Sequence, residues 1–159
     1  MAHLMHNLFI HVTVDELDAI VKDPHNWPSF WVGMGEPERV FGDGSPGTKA
    51  EFPLVMMGVK LRLVDRTVEE KHNSNGSTDW RWEIEGTMSG SLSCHHEPRN
   101  DGTAVSTTFD YTIPGSVLGK FADRLFVEKR VRHDFEDSLD NLKLLAETKV
   151  AEVAAQKTA

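Results

Sequence analysis

The stretch from Phe121 to Ala146 constrains this chain more than any other. Phe121, Leu125, Glu128, Arg132, Phe135, Leu139, Leu142 and Ala146 recur at alternating steps of four and three. That spacing keeps them all on one face of one helix. It predicts a long amphipathic helix from about Val117 to about Thr148, opened by Pro114-Gly115. The stripe is apolar except at its centre, where Glu128 and Arg132 fall together. A helix with such a face must bury it against something. Polar residues at mid-stripe suggest that the buried space holds something polar.

What precedes the helix is rich in strand signals. Leu8–Val14 is a β-rich run, and Asp15 after it is a good N-cap for a short helix carrying Leu17, Ile20 and Val21. Asp23 to Trp31 contains Pro24 and Pro28, which forbid a long helix and permit a single turn. Strands are then expected at Glu38–Phe41, Thr48–Met56, Val59–Lys71, Thr78–Glu85, Met88–Glu97 and Val105–Ile113, with turns at Gly42–Gly47, Met57-Gly58, His72–Gly76 and Arg99–Gly102. This order gives an α+β fold. A curved antiparallel sheet of about seven strands, apolar on one face, wraps around the long helix, and two short helices lie between the first two strands. Residues 1–159 read as one domain, with 149–159 as a fraying tail.

Composition narrows the partners. The formal net charge of −8 leaves little basic surface for nucleic acid or an anionic membrane. No apolar run approaches the roughly 18 residues a membrane helix requires, and the N-terminus does not read as a secretion signal. A single cysteine, Cys94, precludes an internal disulfide and fits a reducing compartment, so the expected location is cytoplasmic. Both a monomer and a dimer fit this sequence.

Asp23-Pro24-His25-Asn26-Trp27-Pro28, Gly42–Gly47, Tyr111-Thr112-Ile113-Pro114-Gly115 and Leu139-Asp140-Asn141-Leu142-Lys143, in this element order, resemble the START-like helix-grip superfamily, which includes the birch-pollen-allergen fold. Within it the chain looks most like the bacterial polyketide cyclase/dehydrase and lipid-transport proteins. The resemblance implies a helix-grip fold with an internal cavity for a hydrophobic molecule. It leaves activity open, because that superfamily holds carriers, receptors and cyclases alike.

The residues nominate a cavity lining rather than a catalytic set. Glu128 and Arg132 are spaced for a helical ion pair. They lie either at the sheet's margin or in the cavity, where each would partner the other. Trp80 and Trp82 share a strand face with Ile84. Trp27 and Trp31 either pack their segment or form a pocket wall. Thr107, Phe109 and Tyr111 share another strand face, and Tyr111 is the only tyrosine. With Phe121, Leu125 and Phe135 these make the expected ligand-binding set. Glu128 and Tyr111 are the candidates for moving protons should the protein be an enzyme.

Cys94, His95, His96 and Glu97 do not make a metal site, because neighbouring strand residues point to opposite faces and no second ligand pair appears. His11 reads as a structural histidine that points inward. Gly33-Met34-Gly35 and Gly42–Gly47 lack the rest of any phosphate-binding fingerprint. No cofactor is expected. The expected function is binding of a lipid-like, aromatic or polyketide-like molecule for transport, sequestration or sensing, in a cavity of ~300–1,000 Å³. The alternative is a polyketide cyclase or dehydratase that uses the same cavity to hold a poly-keto chain in a reactive fold.

Overall fold

A computed structural model describes residues 1–121 and 123–158. The elements run β1 (Ala2–Ile10), α1 (Val14–Lys22), a 3-10 turn (Pro24–Ser29), β2 (Arg39–Phe41), β3 (Lys49–Met56), β4 (Val59–His72), β5 (Thr78–Gly86), β6 (Ser89–Arg99), β7 (Gly102–Thr112), α2 (Gly115–Leu118) and α3 (Arg124–Thr158). The strands form one seven-stranded sheet in the order β1-β7-β6-β5-β4-β3-β2. Every pairing is antiparallel. With α3 packed on the sheet and the short helices between β1 and β2, this is the expected helix-grip α+β fold.

Local chemistry moves some boundaries. The first strand ends at Ile10 because Thr13, not Asp15, caps α1. The Thr13 hydroxyl accepts from Glu16 N at 3.2 Å, and Thr13 N donates to the Glu16 carboxylate at 3.0 Å. This reciprocal pair satisfies two backbone donors, so Asp15 falls inside the first turn. His11 is exposed and bonds Glu147, where an inward histidine was expected.

The long helix departs from expectation in three ways. It is interrupted, since α2 ends at Leu118 with Gly119 as its C-cap, and Asp123 restarts the helix by accepting from Leu125 N at 2.8 Å. It continues to Thr158, ten residues past the expected end near Thr148, and most of that extension is exposed. Its buried stripe is also rotated at the N-terminal half. Phe135, Leu139, Leu142 and Ala146 are buried as expected, but before them come Val131 and Val127. Steps averaging 3.5 residues drift by ~20° per heptad from a straight helix. Counting back from Phe135 by fours instead reaches two valines and leaves the charged side chains outside.

Candidate functional site

The segment after the 3-10 turn closes one end of the space between sheet and helix. Asp23 caps that turn, and Trp27 Nε1 donates to the Val21 carbonyl at 2.8 Å, which buries the indole. Ser138 on α3 ties the following residues down. Its hydroxyl donates to the Asp134 carbonyl and accepts from Val32 N at 2.9 Å. Gly33 and Gly35 then run beside β3, with Val55 N donating to Gly33 O and Gly35 N to Pro53 O, both at 2.9 Å. Gly33 has φ +79°, and a Cβ there would lie 2.3 Å from Val55 O, so this position requires glycine. The pair of glycines exists for strand contact, and it carries Met34 into the wall of a cavity.

That cavity lies between the sheet and α3. Trp27, Trp31, Trp82, Phe109 and Phe135, all among the nominated residues, line it. Its volume is about 130 Å³, smaller than expected. The rings themselves take up the difference. Trp27 stacks on Phe52 at 5.4 Å and meets Trp82 edge-on at 6.0 Å, while Phe135 stacks on Phe109 at 5.9 Å and on Trp31 at 6.4 Å.

The remaining nominated residues lie elsewhere. Trp80 is one layer removed, stacked on Trp82 at 5.5 Å. Thr107 is buried against Cys94, and Phe121 packs half-buried on the core. Tyr111 stacks on Phe109 at 5.2 Å, and its hydroxyl is buried without a hydrogen-bond partner. Burial, and then the negative charge of Glu128, push its pKa up. Leu125 is 58% exposed and Arg132 is exposed. Glu128 pairs with Arg124 at 3.2 Å rather than with Arg132, and its side chain is 43% exposed. The expected polar centre of the stripe is therefore a surface feature beside Tyr111, set there by the helix rotation. The two proton-transfer candidates are near each other but outside the cavity.

The cavity's polar character comes from residues the sequence reading passed over. Asp65 on β4 is 6% exposed and borders the cavity. Its Oδ2 has no hydrogen-bond partner, and among the described residues no cation pairs with it. Desolvation alone pushes its pKa up to about 7. A signal was available, because Leu61, Leu63, Asp65 and Thr67 alternate on one strand face that is otherwise apolar or weakly polar. Trp82 Nε1 is a second buried, unpartnered group on a cavity-lining side chain, and it is a donor.

Asp134, Ser138 and Cys94 also border the space. Asp134 has Arg130 Nε at 3.0 Å. Burial pushes the Cys94 thiol up to about 12, which makes it a poor nucleophile. Among the described residues no group of three or more His, Cys, Asp or Glu side chains could hold a metal ion.

A second buried polar cluster sits under α1. Asp18 Oδ1 accepts from Thr78 Oγ1 at 2.9 Å, Trp80 Nε1 at 3.0 Å and His96 Nδ1 at 2.7 Å. His96 is fully buried. From the sequence, His96 stood out only as a candidate metal ligand or as the base of a Cys–His pair, and its partner on α1 was not foreseen.

A single helix gripped by a seven-stranded antiparallel sheet, with an aromatic cavity between them, defines a helix-grip protein with an internal pocket. The family model for polyketide cyclase / dehydrase and lipid transport matches residues 1–147, and the chain belongs to that family. Solved structures agree on the fold. TTHA0849 from Thermus thermophilus is 20% identical with a TM-score of 0.73, covering 93% of this chain and 99% of its own. The Zhui aromatase/cyclase from Streptomyces sp. R1128 is 14% identical with a TM-score of 0.72, covering 94% and 95%. Ara h 8.0201 is 15% identical with a TM-score of 0.63, covering 92% and 98%. No curated protein matches the sequence. Among the described residues no helix is long and apolar enough to cross a membrane.

Proposed function

We propose that this protein, acting as one domain in the cytoplasm, binds a hydrophobic small molecule with a lipid-like, aromatic or polyketide-like frame. Binding serves transport, sequestration or sensing. The observation that carries this reading is the cavity walled by Trp27, Trp31, Trp82, Phe109 and Phe135, which offers flat apolar surface on several sides. Burial of the molecule's apolar area supplies the driving force.

A cyclase or dehydratase acting in the same cavity is the second reading. A carboxyl that titrates near neutral pH is what supports it, since such a group exchanges protons readily at working pH.

The test is titration with N-phenyl-1-naphthylamine, a neutral dye that brightens in apolar surroundings. Saturable binding by the wild type is expected, as is its loss in Leu92→Trp, which fills the cavity. Circular dichroism verifies that the variant folds, because overpacking costs ~1–3 kcal/mol. Absence of saturable binding to the wild type would overturn the reading. Native mass spectrometry of freshly purified protein then tests for a retained molecule.

A further inference from the structure

Asp65 presents a puzzle that the apolar cavity alone does not solve. A buried carboxyl without a partner is costly, and natural interiors pair such groups or do without them. Here the carboxyl stands among Leu63, Trp82 and Ile84, with Oδ2 unsatisfied and no cation within ion-pair distance among the described residues. None of the residues lining the cavity is Lys, Arg or His. The polar groups are Asp65, Asp134, Ser138, Cys94 and the indole N–H of Trp82, a neutral donor that supplies no charge, and Arg130 already faces Asp134. An anionic ligand such as a fatty acid would meet carboxyls and find no counter-charge. A ligand that brings its own donor would supply what Asp65 lacks.

We propose that Asp65 anchors a ligand carrying a hydrogen-bond donor, a protonated amine above all, on a flat apolar frame, and that the cavity discriminates against carboxylates. The inference rests on reading the cavity as a ligand site. The ammonium group bonds the Asp65 carboxyl, and each charge then satisfies the other against apolar walls. The rings of Trp82 and Trp27 add cation–π attraction at their faces and apolar contact for the frame.

The test displaces N-phenyl-1-naphthylamine with three probes of one shape: phenethylamine, propylbenzene and 3-phenylpropanoate. At pH 8 the wild type should prefer the amine over the hydrocarbon by about tenfold or more, the scale of a hydrogen bond to a charged group. The carboxylate should bind weakest. The preference should shrink at pH 6, where Asp65 is largely protonated while an aliphatic ammonium stays charged. The other titratable groups facing the cavity are Cys94 from β6 and Asp134 from α3, so the variants carry the assignment. In Asp65→Asn and in Asp65→Leu the ratio of amine to hydrocarbon affinity should collapse toward one or below.

Dye and propylbenzene binding with no amine preference in the wild type overturns the role of Asp65 and leaves the cavity reading standing. An amine preference that survives both substitutions moves the anchor to Asp134 and also overturns it. Failure of every probe and of the dye to bind the wild type overturns both readings.

Discussion

Among the described residues two aspartates are buried, and their surroundings differ sharply. Asp18 on α1 receives three donors on one oxygen, from Thr78, Trp80 and His96. Asp65, on the same inner side of the sheet, receives none on its Oδ2. Around Asp18 the donors converge from β5 and β6, so the carboxylate helps lock α1 to the sheet, together with the Lys22–Glu70 ion pair at 3.1 Å. Around Asp65 the neighbours are apolar and there is open space. Asp18 Oδ2 also lacks a partner, but its carboxyl is held through Oδ1 by three side chains, whereas Asp65 Oδ2 has no such neighbour to offset it and borders a cavity, a standing cost that a bound molecule would relieve.

The comparison predicts opposite signs of mutational effect. Asp18→Ala should destabilise by roughly 5 kcal/mol, because it strands three buried donors at ~1–3 kcal/mol each and leaves a void. Urea denaturation measures it, and a loss under ~1 kcal/mol would break the contrast. Asp65→Leu should instead stabilise, in a pH-dependent way. The folded-state pKa of about 7 lies above the unfolded value of 3.8, so the native state holds a proton that the unfolded chain releases. Between those values wild-type stability falls as pH rises, and below them the penalty vanishes. The variant's advantage should therefore grow from near zero below pH 4 to roughly 4 kcal/mol above pH 7. Denaturation at pH 4, 6 and 8 reads this directly, and a flat difference would mean that Asp65 has a partner in solution.

Much of the fold was legible because period and punctuation agree along most of the chain. Trp80, Trp82 and Ile84 alternate with charged residues, and Asn100-Asp101 sits at the β6–β7 turn. The aromatic lining was legible for the same reason. Asp65 left only a weak signal, its place in the Leu61, Leu63, Asp65, Thr67 alternation, because one acid in a long strand looks like any exposed acid until the inward face is known. The link between Asp18 and His96 spans 78 residues, and no local pattern reports a pairing across that distance. The rotation of α3 was also hidden, since Val127 and Val131 satisfy a helical stripe as well as Glu128 and Arg132 satisfy its spacing.

That rotation makes Glu128 a third acid to set beside the other two, and it should have the smallest effect. Its partner is Arg124, one turn earlier on α3, and both side chains reach solvent. Water screens such a pair, so each side chain gains little from being held in place. Glu128→Ala should cost only ~0.3–0.5 kcal/mol. The same substitution should lower the raised Tyr111 pKa, because Glu128 is one of its causes, and the shift is readable in the ultraviolet titration of the only tyrosine. A loss above ~2 kcal/mol would instead mean that Glu128 is buried against Arg132. The helix would then be turned by about one residue from the structure described, Val127 and Val131 would lose their burial, and the apolar wall opposite Asp65 would become a charged one.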